Sequence, residues 1–339
     1  MPSAAAWMWE LPSDGSGPIS TSRDPDQQIM IRAQSHASRL LWFGFAALIA
    51  AYFLTFWLAP KQPETWPALW FVPGVGVIGA IIANASGTGG GVVFIPVFNA
   101  LRDLSDWQLD PLRVTAISMG IQAFGMSVGA LRWTDRLLHQ PAVQAHSNEA
   151  PVRYQDYAVT CMLVLAISLP VQLLAQAMIE IDGTTVLIAY KGFSVILGTA
   201  LIIATWTVNR DAPERAALTR FDWAVLAMLS VPGGFVTALF SVGIGELVAF
   251  YLFLRHFPML LAVGTACVIS SISMIAGTLL NQQAGIIAWD IVLLAAPGAM
   301  IGAVLARPIA LWLGPRKLKT AGGLWIAVSA LYLIGIAQN

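Results

Sequence analysis

Long apolar runs separated by short polar breaks fill the chain from residue 40 onward, and several reach the roughly 20 residues needed to cross a bilayer's hydrocarbon. Residues 40–59 read as a first membrane helix closed by Pro60, with Trp66 and Trp70 where an interfacial aromatic belt is expected. The next run, 70–101, is too long for one plain crossing. At 1.5 Å per residue it would span roughly 48 Å, against ~30 Å of hydrocarbon. It also carries a Gly-rich break, GTGGG, from Gly87 to Gly91. Such a break frees backbone N–H groups that lipid cannot satisfy, so it must be buried in protein or line a wet cavity. Plain spans follow at about 114–133, 157–178 and 186–208. A second long run, 223–254, is interrupted by Gly243 and Gly245, and further spans follow at about 260–280, 286–306 and 318–336.

Two interrupted apolar segments in corresponding positions of two halves point to a transporter binding site. Basic residues decide how each interrupted run is folded, because Lys and Arg collect on the cytoplasmic side. If both runs are hairpins and the N-terminus is cytoplasmic, Arg132, Arg136, Arg153, Arg210, Arg215, Arg220, Arg255, Arg307, Arg316, Lys317 and Lys319 all fall inside. Lys61, Arg102, Arg113 and Lys191 are left outside, near the acidic Glu180 and Asp182. If each run crossed once, the loop holding Arg132, Arg136 and Arg153 would move outside. The hairpin reading is preferred.

The predicted fold is therefore an all-α integral membrane protein of inverted repeats. Each repeat is a broken-helix hairpin plus three transmembrane helices, and one extra transmembrane helix precedes them. The segments are a polar cytoplasmic tail (1–39), the extra helix (40–59), a first repeat (70–208) and a second, inverted repeat (222–337). Gly87-Thr88-Gly89 answers Gly243-Ile244-Gly245 in this scheme, and the stretch from Pro111 to Ser118 answers that from Pro258 to Thr265.

Composition agrees. Hydrophobic residues make up 57% and charged residues 11%, with a mean hydropathy of +0.72, whereas soluble domains run to about 25% charged. The net charge of zero names no partner, and nothing suggests nucleic acid. Cys161 and Cys267 lie in apolar runs without a CxxC spacing or a neighbouring His, so they read as small buried hydrophobes. Residues 1–39, which include Trp7 and Trp9, lack the basic start and apolar core of a signal peptide.

The candidate chemistry sits at the two breaks. A helix beginning inside the membrane aims free N–H groups and a partial positive charge into the cavity, which suits an anion. Gly87, Gly89, Gly90, Gly91, Gly243 and Gly245 allow close backbone approach, and Ser86 and Thr88 add hydroxyl donors. Asn84 either donates to substrate or satisfies the broken ladder. Ser118 and Thr265 are the expected contacts from the following helices, with Gln122, Ser270 and Ser271 read as interhelical hydrogen-bond partners. Glu246 falls at the second break, and ionisable residues inside membranes are costly and usually functional. A bare carboxylate there opposes an anion, which makes proton coupling one role and capping of the helix start the other. Arg255 and Arg307 lie at span ends, where snorkelling is the default. The dispersed His36, His139, His146 and His256 form no HExxH pattern, so no metal, cofactor or catalytic residue is expected.

These same residues resemble the sulfite exporter TauE/SafE family of membrane permeases. The resemblance rests on ASGTGGGVVFIPVF (85–98), RVTAISMGIQAFGMSVGAL (113–131), GGFVTALFSVGIGELVAFYLFL (233–254) and AVGTACVISSISMIAGTL (262–279). It spans about 72–336. It implies a secondary transporter, with export the expected direction, of sulfite, another small sulfur oxyanion or an organosulfonate. At the second break Glu246 stands where the pattern would have another Gly, which leaves the anion and the coupling ion open. A cation carrier using Glu246 is the alternative, and an intramembrane enzyme a more distant one. A multi-pass protein of the cell inner membrane is expected. Homodimers are common among carriers, though no interface is marked in the sequence.

Overall fold

The computed structural model describes residues 25–104, 109–139, 150–178, 182–207 and 213–336. The tail to residue 24, with Trp7 and Trp9, lies outside these residues, as do His146, Glu180 and Arg210; so do the side chains of His36, Arg102, Arg316 and Lys319. All the regular elements described are helical: α1 (Pro25–Leu58), a 3-10 segment (Pro63–Leu69), α2 (Val72–Ser86), α3 (Gly91–Leu104), α4 (Pro111–Leu138), α5 (Tyr154–Met178), α6 (Gly183–Thr207), α7 (Arg220–Phe240), α8 (Ile244–Leu254), α9 (Met259–Gln283) and α10 (Trp289–Ile336). Among the described residues six helices are long and apolar enough to cross a membrane. The protein is an all-α membrane protein.

One boundary differs from the sequence reading. The first helix begins at Pro25, so residues 25–39 of the expected tail are helical. The spans expected at 286–306 and 318–336 are two helical stretches of α10 that part at Gly314, whose φ of 73° and ψ of 164° only glycine adopts cheaply.

Contacts fix the direction of each helix. The segment Pro63–Leu69 is tied to the start of α10, with Trp66 Nε1 donating to Asp290 Oδ1 at 2.8 Å. We call this the upper end. From there α2 runs alongside α10, because Gly298 lies against the Pro73 carbonyl and Gly302 against that of Val77. A side chain at either glycine would collide with backbone, so these positions set how closely the helices approach. The start of α6 is at the same end, since Gly183 faces Asp110 at the start of α4. In turn α9 runs antiparallel to α4: Trp133 packs on Gly264, Ser127 Oγ pairs with Ser271 Oγ at 2.6 Å, and Met119 Sδ accepts from Asn281 Nδ2 at 3.4 Å.

At the lower end, Arg255 at the close of α8 donates to Asp222 Oδ1 at 2.9 Å, and Arg215 N donates to His256 O at 2.8 Å. Asp222 sits in the first turn of α7, so α7 and α8 leave from and return to one end of the bundle. The pair α2 and α3 descends from the opposite end. Arg307, expected to snorkel, instead donates to Asp135 Oδ2 at 2.9 Å and to the Arg132 carbonyl at 2.8 Å, tying α10 to α4 at the lower end. Lys191, expected on the outer side near a helix start, is buried on α6 with 8% exposure.

Candidate functional site

Each hairpin breaks where the backbone turns left-handed. Helix α2 ends at Ser86, and Gly87 (φ 75°) closes it with its N–H donating to Ala83 O. Gly89 (φ 64°) then redirects the chain into α3. Glycine is the usual residue for such a helix stop, because a Cβ is strained there. The second hairpin stops differently. Helix α7 ends at Phe240, and Ser241 takes the left-handed position (φ 51°) with its N–H donating to Thr237 O. Gly243 then caps α8, which starts at Ile244.

The second break therefore lies at Ser241–Gly243, earlier than the sequence suggested. Gly245 is not part of it. It occupies the first turn of α8, and its missing side chain admits Ser270 Oγ of α9. In the first turn of α8 the Ile244 N–H donates to Thr237 Oγ1 at 2.9 Å, and in that of α3 the Val93 and Phe94 N–H groups donate to Gly90 O, so Gly91 and Val92 of α3 are the positions whose N–H groups find no carbonyl within their helix.

The two tips overlap instead of meeting end to end. The first reaches α9 near the lower end, with Gly87 against Val263 and Ala266. The second reaches α4 near the upper end, where Ser241 Oγ donates to Ser118 Oγ at 2.7 Å. Where they pass, a Cβ at Gly91 would fall onto Val242 Cγ2 and lie 2.8 Å from Ser241 Oγ. A Cβ at Gly89 would come within 2.6 Å of Glu246 Oε1.

Gln122 joins both tips. Its Oε1 accepts from Gly90 N at 2.5 Å, and its Nε2 donates to the Ser241 carbonyl and to Ser118 Oγ, each at 3.1 Å. The sequence reading treated Gln122 as an interhelical partner and did not single out Ser241. A Ser in an apolar run carries no signal of a left-handed turn, so only the backbone reveals it. Tyr190 of α6 was also missed. Its hydroxyl donates to Gly91 O at 3.3 Å, at the start of α3.

Glu246 is buried at 3% exposure. Its Oε2 accepts from Gly243 N at 2.6 Å, capping the helix it belongs to. Its Oε1 has no hydrogen-bond partner and faces Gly89 of the other tip. A carboxylate thus sits where a helix start would hold an anion, with one oxygen committed and one free.

Ser86 and Thr88 pair at 2.7 Å between their hydroxyls, and Ser86 Oγ also donates to Ile82 O. Asn84 and Thr265 are turned to other work. Asn84 donates to Ala80 O in its own helix, and its amide fills the space left by Gly129 on α4. Its carbonyl accepts from Trp133 Nε1 at 2.9 Å. Thr265 Oγ1 donates to Leu261 O at 2.6 Å, and the α9 residues against the tips are Val263, Ala266 and Ser270. Among the described residues no group of three His, Cys, Asp or Glu side chains is placed to hold a metal ion.

No curated protein and no solved structure matches the chain. The family model for the sulfite exporter TauE/SafE matches residues 142–333, which takes in α5 through most of α10. The first hairpin and α4, which also carry the resemblance, lie before the matched region. The match covers more than half of the sequence and includes the second tip with Glu246. On that match, the chain belongs to the sulfite exporter TauE/SafE family.

Proposed function

We propose that this multi-pass membrane protein is an alternating-access carrier that exports a small sulfur oxyanion, sulfite or an organosulfonate, bound where the two tips overlap. Membership in a family of sulfite exporters gives transport of this type. The single observation that carries the site is the convergence at Gly89–Gly91: the first turn of α3, the Glu246 carboxylate and Gln122 all face one another there. An oxyanion would take up the spare N–H groups of α3 with Ser86 and Thr88 beside them. The opposed hairpins support two inverted repeats that rock about this region, with the upper end outside and the N-terminus inside. The inner membrane is the proposed location. Copies of the chain are proposed to pair as dimers.

Glu246 makes the carrier proton-linked in this reading. An ionised Oε1 repels an anion at Gly89, and a proton on that oxygen removes the repulsion and supplies a donor. Replacing Glu246 with Gln keeps the shape and an acceptor for Gly243 N but removes the titration. In reconstituted vesicles Glu246→Gln should transport sulfite at a rate that no longer responds to an imposed pH gradient. A variant as pH-dependent as the wild type rejects the coupling role.

One observation favours a second reading. Two acceptor oxygens, Glu246 Oε1 and Gln122 Oε1, converge on Gly89, which is also how a small cation would be held. Competition of uptake by sulfite, thiosulfate and sulfonates against monovalent cations separates the two: displacement by cations alone would transfer the site to cation transport.

A further inference from the structure

The head of α3 carries three N–H groups, and a side chain of another helix already holds one of them. Gly90 caps α3: its carbonyl accepts from Val93 N at 3.0 Å and from Phe94 N at 2.9 Å. The N–H groups of Gly90, Gly91 and Val92 therefore sit together at the helix start, where an oxyanion is ordinarily cradled. Of the three, Gly90 N donates to Gln122 Oε1 of α4 at 2.5 Å. The fit is close, since a Cβ at Gly90 would lie 2.8 Å from Gln122 Cγ.

The same amide holds the second tip by its nitrogen. Gln122 Nε2 donates to Ser241 O at 3.1 Å, and Ser241 is the left-handed residue at which α7 stops. The capping N–H of that tip, Gly243, is held by Glu246 of its own helix, so that bond ties nothing across. The two Gln122 bonds do cross between the hairpins. The side chain is buried at 1% exposure, so a partner that leaves has to be replaced by another polar group.

We propose that Gln122 Oε1 is a built-in competitor of the transported oxyanion for the Gly90 N–H, displaced when the anion arrives and returning when it leaves. An anion seated on the Gly91 and Val92 N–H groups lies beside Gly90 N, and its charged oxygen makes a stronger bond there than a neutral amide does. The competitor weakens binding and speeds release, as a carrier needs, because a site that only binds tightly keeps its cargo. An amide freed at its oxygen can also turn. The exchange is then felt at Ser241, which carries the occupancy of the first tip to the second. This proposal rests on the oxyanion-carrier reading above.

The test compares sulfite binding in detergent and sulfite flux in proteoliposomes for the wild type and Gln122→Met, which keeps the side chain's length without its amide. With the competitor gone, sulfite should bind roughly threefold tighter or more, about the worth of one hydrogen bond. KM should fall alongside, and the maximal rate should fall too, because release is no longer assisted. Gln122→Leu should behave alike, and a melt in detergent identifies the variants that fold. Loss of a residue that only braced the fold or only gripped the anion would weaken binding instead. Weaker or unchanged binding in a folded variant, or tighter binding at an undiminished maximal rate, overturns the competitor while leaving the carrier reading intact. The wild type gives an independent check. On adding sulfite, the infrared difference spectrum of glutamine-labelled protein should show a side-chain carbonyl losing a hydrogen bond, and a spectrum without that change overturns the exchange. A wild-type protein that neither binds nor moves sulfite overturns both.

Discussion

Substituting alanine for Gly91 should reduce sulfite flux at least tenfold while leaving the protein folded in the membrane. The added methyl would fall onto Val242 Cγ2 and press on the Ser241 carbonyl at 2.9 Å, so the two tips cannot pass at their present separation. Overpacking of this kind costs typically ~1–3 kcal/mol, which a bundle this extensive should survive. The damage is to geometry, because Gln122 holds Gly90 and Ser241 together and cannot keep both hydrogen bonds once they separate. Flux in proteoliposomes alongside a thermal melt in detergent checks it. Near-normal flux would show that the overlap of the tips is not needed for transport.

The largest loss of stability is expected for Asp222→Ala. This carboxylate is fully buried at the base of the second hairpin, where five groups depend on it. Thr219 N and Oγ1 donate to Oδ2 at 2.9 and 2.6 Å, which closes the capping box of α7. Tyr251 Oη and Arg255 Nε donate to Oδ1 at 2.7 and 2.9 Å, and Arg215 Nη2 lies 3.5 Å from Oδ2. Removing the carboxylate strands a buried hydroxyl and leaves two arginines facing each other. Loss of one partner of a buried pair costs ~3–5 kcal/mol, and the lower figure applies because both arginines are partly exposed. The melting temperature in detergent should fall clearly, while Asp222→Asn, which retains acceptors, should fall less. Equal stability of wild type and Asp222→Ala would mean that the hairpin is anchored elsewhere.

Asp222 also shows why some residues were out of reach of the linear chain. It reads there as one more charge near a span end, and its five partner groups come from two stretches, 215–219 and 251–255. The same holds for Arg307, whose place at a span end suggested snorkelling but which bonds across to α4. Lys191 was read as an outer-side charge near the start of the span at 186–208, yet its helix begins at Gly183 and carries it inward.

The candidate site was legible in part, and the division follows the glycines. Gly87–Gly91 announced the first tip because five residues with one small side chain cannot continue a buried helix quietly. The second tip was read slightly late, since its left-handed residue is Ser241 and its visible glycines only flank the turn. Thr265 was matched to Ser118 by counting from two prolines. The packing instead sets Ser118 and Gln122 against the second tip, Ala266 beside Gly87 and the first turn of α8, and Ser270 beside Gly245.

The sequence by itself determined the solvent and the class of fold: apolar runs of membrane length, two of them broken, and basic residues gathered in a pattern that favours hairpins. Those properties depend on composition and period along the chain, which are local. Only the tertiary structure decided that the tips overlap, that Glu246 caps its own helix with one oxygen left free, and that Gln122 ties the two hairpins together. The overlap of the tips and the Gln122 bond to Ser241 join segments more than a hundred residues apart, at the few glycines where one helix can approach another's backbone.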